Sequence, residues 1–117
     1  MIYLASPYSH SNISVRYKRY ECVLQVAARL IKEGQLVFCP VVHTHPINII
    51  LGSEYWDFSR WKEFDLAMLD KCDELVIVRI PGWETSKGVT EETRYARQWD
   101  IPIRFVDPTP EELEVLK

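Results

Sequence analysis

Leu75-Val76-Ile77-Val78-Arg79-Ile80, followed by Pro81-Gly82-Trp83-Glu84-Thr85-Ser86-Lys87-Gly88-Val89-Thr90-Glu91-Glu92, is the stretch whose reading decides the fold. Its first six residues are mostly β-branched or aliphatic and stop at a Pro-Gly pair, the pattern of a buried strand. A turn rich in small residues comes next, and residues 89–99 then repeat apolar side chains at helical spacing. A strand, such a turn and a helix N-terminus form the place where α/β proteins hold anions, because free backbone N–H groups and the helix dipole converge there. One residue breaks the ordinary pattern. Val89, Glu92, Ala96 and Trp99 share a helical stripe, so the face expected to pack on the sheet carries a carboxylate in its first turn. Glu91 points about 100° away, beside Tyr95, and fits the ordinary role of an acid at a helix N-terminus. Glu92 is the candidate functional acid.

Outward from this unit, residues 2–6 read as a first strand halted by Pro7. Tyr17, Tyr20, Val23, Leu24, Ala27, Leu30 and Ile31 recur at helical spacing, with Ser11, Asn12 or Ser14 as cap and Gly34 as stop. Residues 36–39 form a second short strand, and 41–57 read as a long, aromatic, irregular connection containing His43, His45, Pro46 and Gly52. A helix over 59–71 carries Trp61, Phe64, Met68 and Cys72 on its apolar side. A fourth strand over 101–106 follows, and Thr109-Pro110-Glu111-Glu112 is a capping box opening a short terminal helix. Strands alternating with helices predict parallel pairing through right-handed crossovers. The expectation is a single α/β domain over residues 1–117, a three-layer flavodoxin- or Rossmann-like fold. Its parallel sheet would have four to five strands in the order 2-1-3-4. Ligands in such sheets bind beyond the carboxyl ends of the strands, where strand order reverses between the first and the third. Those ends carry Ser6, Pro7, Tyr8 and Ser9 on one side and the 81–88 loop on the other.

The bulk properties narrow the partners. At 117 residues with 47% hydrophobic residues, four Trp and six Tyr, the chain has the makings of one globular core. A net charge of −3 gives no reason to expect nucleic-acid polymers or anionic membranes as partners. Cys22, Cys39 and Cys72 lack metal-ligand spacing and sit in apolar runs, so they read as buried free thiols in a reducing compartment. No run approaches ~18 apolar residues, and the chain enters its first strand without a basic stretch ahead. Together these predict a cytoplasmic protein that takes a small molecule, without a membrane, a metal or a cofactor.

Several side chains compete for a role at the ligand edge. Asp65 lies on or beside the apolar side of the 59–71 helix, which runs antiparallel to the third strand; its ordinary reading is a boundary residue paired with Arg60 or Lys62. Tyr3 points inward from the first strand, where core packing is the default, although its hydroxyl can orient a carboxylate. Ser6, Tyr8, Ser9 and Ser86, with the Gly88 backbone, can donate to a phosphate or sugar; turn chemistry explains each serine singly, so only their convergence is informative. Arg16 and Arg19 read as solvated, and Asp73 as a turn residue into the third strand. His43 and His45 form a His-x-His pair without a third ligand type, too few for zinc. His43 is assigned instead to the lining of the substrate site.

These residues together resemble a known family. Ile2-Tyr3-Leu4-Ala5-Ser6, then Asp65 with Asp73, then Ser86-x-Gly88-Val89-x-x-Glu92-x-x-x-Ala96 are similar to the nucleoside 2-deoxyribosyltransferase superfamily. With Ser6-Pro7-Tyr8-Ser9 and Pro81-Gly82-Trp83 added, the string looks most like a small, partly phage-encoded branch of it, and the match runs in order over nearly the whole chain. The resemblance implies that Glu92 attacks the anomeric carbon of an N-glycosidic bond, that Asp65 helps protonate the departing base, and that Tyr3 orients the nucleophile. This is glycosidase logic, with charge building toward an oxocarbenium ion. The transferases that take free nucleosides carry an acid where Ser86 stands, whereas the branch similar to 2′-deoxynucleoside 5′-monophosphate N-glycosidases carries Ser. A phosphate dianion is repelled by a carboxylate and accepts from a hydroxyl, so Ser86 leans the chain toward nucleotides. Pro7 falls where those hydrolases offer a phosphate-binding Ser, with Ser6 and Ser9 close by, and residues 107–117 hold no clear counterpart of the family's cross-subunit polar group. The expected function is N-glycosidic cleavage or deoxyribosyl transfer on a nucleoside or its 5′-monophosphate. The alternative is a catalytically inactive nucleotide-binding module. A homodimer or larger assembly is expected from the family's habit and from the aromatic run at 55–61.

Overall fold

The computed structural model describes residues 1–117, the side chain of Ser53 excepted. Strand β1 is Ile2–Ala5, β2 Val37–Phe38, β3 Glu74–Val78 and β4 Ile103–Val106. They form one four-stranded parallel sheet in the order β2-β1-β3-β4. Ile2 lies opposite Glu74 and Ala5 opposite Ile77, which sets the carboxyl ends of β1 and β3 side by side. The helices are α1 Ile13–Lys32, α2 Pro40–Leu51, α3 Phe58–Asp70, α4 Lys87–Gln98 and α5 Pro110–Leu113. This is the α/β Rossmann-like architecture and strand order expected from the sequence.

Side-chain alternation divides the core between the two sheet faces. Ile2, Leu4, Val76 and Val78 face α1 through Cys22, Val23, Val26 and Leu30. Tyr3, Ala5, Leu75 and Ile77 face α3 and α4 through Leu69, Val89 and Ala96. The alternation therefore turns Tyr3 toward the helix that carries Glu92. Asn12 is the cap of α1, its side chain accepting from the Ser14 N–H at 2.8 Å. At the other end the turn at Gly34 has φ +94°, where a side chain would be strained. Thr109 and Glu112 form the reciprocal capping box on α5. All three cysteines are free and buried.

Four expectations are corrected. Residues 41–57 are not an irregular connection: Pro40 opens α2, which runs through Pro46 to Leu51. Its buried side is Val41, Thr44, His45 and Asn48, a helical i, i+3, i+4, i+7 stripe. Three of those four are polar, so hydrophobic periodicity does not report the helix. On α4, Trp99 is not part of the packed stripe but 58% exposed, because the helix ends at Gln98 and Trp99 is already its non-helical cap. On α3 the buried residues are Asp65 and Leu69, while Phe64 is exposed. The aromatic run at 55–61 is half-buried rather than exposed, because Trp56, Phe58 and Trp61 turn into a cavity. No helix among the described residues is long and apolar enough to cross a membrane.

Candidate active site

Ser86 caps α4, its Oγ accepting from the Val89 N–H at 3.3 Å. This starts the helix two residues before Val89 and sets Glu92 in its second turn, on the inward stripe with Val89 and Ala96. Glu92 is 4% exposed. The fully buried Tyr3 reaches it from β1, donating its hydroxyl to Glu92 Oε2. Asp57 caps α3 by accepting from the Ser59 N–H at 3.0 Å, and two turns later Asp65 is 5% exposed, with a buried Oδ1 that has no hydrogen-bond partner. Both carboxylates line one cavity of about 450 Å³, its open mouth included, at the carboxyl edge of β1 and β3.

Burial pushes the Asp65 carboxyl up to about 7. Burial also lifts Glu92, to about 8, with the hydrogen bond from Tyr3 pulling down and the Asp65 charge adding to the rise. The Tyr3 phenol is itself raised by burial and by the two neighbouring carboxylates, so it stays protonated and remains a donor. Two coupled carboxyls near neutrality hold one proton between them over part of the pH range. The Tyr3 hydrogen bond favours the ionised form of Glu92, while burial and the Asp65 charge favour its protonated form.

The structure brings together most of the residues singled out from the sequence. Ser6, Tyr8, Ser9, Ser86 and Gly88 all line the cavity with Asp65 and Glu92. Their hydrogen-bonding states differ. Ser6 Oγ is buried and unpaired, and the Gly88 N–H lies in the first helical turn, where no intrahelical acceptor exists. Ser9 instead spends its hydroxyl on the Trp56 carbonyl at 3.1 Å, and Tyr8 Oη contacts His45 Nδ1 at 2.6 Å. Gly88 also makes room: a Cβ there would stand 3.0 Å from Cδ1 of Phe58, a cavity wall.

His43 is the exception. It is exposed, stacks on Phe64 with centroids 5.2 Å apart, and is not a lining residue. The inward stripe of α2 passes through positions 41, 44, 45 and 48, and a residue two positions from Val41 falls on the far side. His45 is the buried member of the pair, 2% exposed and stacked on Tyr20 at 4.0 Å. Arg16 is not simply solvated either: its guanidinium lies 3.7 Å over the Trp56 ring, and Arg19 donates to the Ser9 carbonyl at 3.0 Å. Asp65 pairs with neither Arg60 nor Lys62; Arg60 meets Glu54, and Lys62 meets Glu91.

Sequence reasoning missed Thr44, Asn48, Trp56, Phe58 and Trp61, which also line the cavity. Asn48 anchors both indoles: its carbonyl accepts from Trp56 Nε1 at 3.0 Å and its Oδ1 from Trp61 Nε1 at 2.9 Å. The signal that finds them is the polar stripe Val41, Thr44, His45, Asn48, legible only when polar residues count as inward-facing. Among the described residues, no group of three or more His, Cys, Asp and Glu side chains is arranged to hold a metal ion.

The fold and this site define a parallel α/β protein with two buried carboxyls lining one cavity at the topological switch point. Over residues 1–107 the chain matches the family described as a domain of unknown function (DUF1937), and it belongs to that family. Comparison with the curated proteins gives no match.

Proposed function

We propose that the protein cleaves the N-glycosidic bond of a nucleoside or nucleoside 5′-monophosphate, or transfers the sugar, with Glu92 as nucleophile. The observation that carries this reading is the buried Glu92, held by the Tyr3 hydroxyl and lining the same cavity as Asp65. Glu92 attacks the anomeric carbon while the C–N bond breaks, and the base leaves with the bonding pair. Asp65 gives its proton to the departing base, and the sugar remains on Glu92 as an ester. Water or a second base then displaces the ester, and the proton so released returns to Asp65. A carboxyl raised to about 7 is matched to proton transfer near neutral pH. Tyr3 keeps one Glu92 oxygen bonded and so fixes the orientation of the other.

The unpaired Ser6 Oγ, the Ser86 hydroxyl and the Gly88 N–H at the α4 N-terminus supply neutral donors and a positive dipole end, which favours a 5′-monophosphate over a free 5′-hydroxyl. A second reading, nucleotide binding without turnover, draws on the rise of Glu92 to about 8, since a protonated carboxyl is no nucleophile. Release of free base from a panel of nucleosides and 5′-monophosphates, followed by chromatography, separates the two. Base release that Glu92→Gln abolishes and Glu91→Gln leaves unchanged supports the enzyme. No release from any substrate that binds supports the binding module. Equal effects of the two substitutions refute the assignment of Glu92. Self-association belongs to the same proposal, now motivated by the exposed Ile49, Ile50 and Leu51 at the end of α2. A strictly monomeric mass by light scattering at micromolar concentration counts against it.

A further inference from the structure

We infer that His45 is a positioning residue that takes the Tyr8 hydroxyl proton in a hydrogen bond, so that the Tyr8 oxygen faces the cavity as an acceptor and selects a ligand O–H or N–H group. The inference rests on the proposed function only for the identity of that ligand.

An indole N–H is a donor only. Trp61 Nε1 lies 2.9 Å from Asn48 Oδ1, so the Asn48 amide is oriented with its oxygen toward the indole and its NH2 elsewhere. Asn48 is 1% exposed and lines the cavity with Tyr8. Burial pushes the Tyr8 phenol up, with the Asn48 side chain acting the other way. The single hydrogen of Tyr8 Oη remains to be placed.

His45 Nδ1 lies 2.6 Å from Tyr8 Oη. Between a phenol and a neutral imidazole the phenol is the stronger acid and the ring nitrogen the stronger base, so the phenol is the donor. A ring nitrogen accepts only when the imidazole is neutral at that atom. His45 meets this condition: it is buried among Tyr8, Tyr17 and Tyr20. Burial and the Arg16 charge lower its pKa, with Glu21 opposing. With its hydrogen given to His45, Tyr8 Oη keeps acceptor capacity for the cavity it lines. Tyr8 therefore does not donate to a phosphate, the role its place among the edge hydroxyls suggested; it matches a sugar hydroxyl or a base N–H.

Nitrogen-15 NMR of His45 in the intact protein tests the first half. The expected result at pH 7 is the Nε2–H tautomer, with the Nδ1 resonance moving in Tyr8→Phe. An Nδ1–H tautomer or an imidazolium overturns the inference. Calorimetry tests the second half with two ligand pairs. 2′-Deoxyadenosine 5′-monophosphate against its 2′,3′-dideoxy analogue probes a sugar hydroxyl, and 2′-deoxyadenosine 5′-monophosphate against the purine 2′-deoxyriboside 5′-monophosphate, which lacks the 6-amino group, probes a base N–H. Wild type should favour the donor-bearing member of one pair about tenfold. Tyr8→Phe and His45→Leu should erase that preference, and His45→Asn, which returns an acceptor near the Nδ1 position, should restore part of it. A preference that survives Tyr8→Phe, or none in either pair, overturns the selection role. If no nucleotide binds at all, the nucleotide reading fails, and the NMR result alone decides the His45–Tyr8 pairing.

Discussion

Replacing Glu92 by Gln should make the protein more stable at alkaline pH, and the size of the effect follows from burial. In the folded chain the Glu92 carboxyl rises from 4.5 to about 8. A raised carboxyl keeps its proton longer in the folded than in the unfolded state. Its contribution is therefore most favourable below about pH 4.5, declines as pH rises, and levels off above pH 8. Each pH unit of separation is worth ~1.4 kcal/mol, so ionising Glu92 in place costs on the order of 5 kcal/mol. Gln keeps the size and an oxygen for the Tyr3 hydroxyl but never ionises. Urea unfolding of wild type and Glu92→Gln at half-unit steps from pH 5 to 9 reports Glu92 with its neighbour Asp65, because the titrations of more distant groups cancel in the difference. The two proteins should match within about 1 kcal/mol near pH 5 and diverge steadily until the variant leads by a few kcal/mol at pH 8.5. At this chain length that is on the order of 10 °C in Tm. Parallel curves across the whole range would refute the reasoning, since they would mean that Glu92 ionises in the fold as easily as in water.

Three further outcomes follow from the same contacts. Turnover expressed as kcat/KM should be bell-shaped in pH, with limbs set by the carboxyl pair near 7 and 8 and a maximum between them. Below the bell both groups are protonated and no nucleophile exists, and above it neither can protonate the base; a rate that rises without limit toward pH 10 would contradict the acid role of Asp65. Ser86→Asp should keep the α4 cap, since Asp caps as well as Ser, while its charge narrows or reverses any preference for 5′-monophosphates over nucleosides in calorimetry. Equal weakening of both ligands would mean that Ser86 is an ordinary cap. Glu112→Gln should cost about 1–3 kcal/mol at neutral pH, because burial is outweighed there by the paired Arg29 and the Thr109 N–H, which hold the carboxyl below its ordinary range. This contribution is present above pH 4.5 and fades as pH falls through the depressed value, so urea midpoints of the variant and wild type should converge in acid.

The legible and illegible parts of this molecule differ in a physical way. Strands β1 and β3 were readable because both faces of a central parallel strand are covered, which demands continuous apolar residues such as 75–78. Glu92 was readable for the complementary reason: on α4, an otherwise regular stripe of Val89 and Ala96 makes one carboxylate conspicuous. Helix α2 was not, since its inward stripe is mostly polar and its burial is satisfied by groups far along the chain. His45 needs Tyr8 and Tyr20, and Asn48 needs Trp61. The same blindness assigned His43 to a cavity that it does not line.

The amino-acid sequence by itself determined the alternation of strands and helices, the four-strand order, the sheet edge at which the cavity lies, and Glu92, Asp65 and Tyr3 as candidates for the chemistry. Each of these follows from periodicities of two and 3.6 residues or from short motifs, which act over a few neighbours along the chain. Only the tertiary structure decided that Tyr3 donates to Glu92, that Asp65 keeps a buried unpaired oxygen, that Ser9 is already engaged, and that His45 rather than His43 contacts the cavity-lining Tyr8. Those outcomes depend on where three separate elements meet beyond the sheet. A hydrogen bond or a desolvated carboxyl is a property of that meeting, since water leaves a group only when the opposing surfaces are in place.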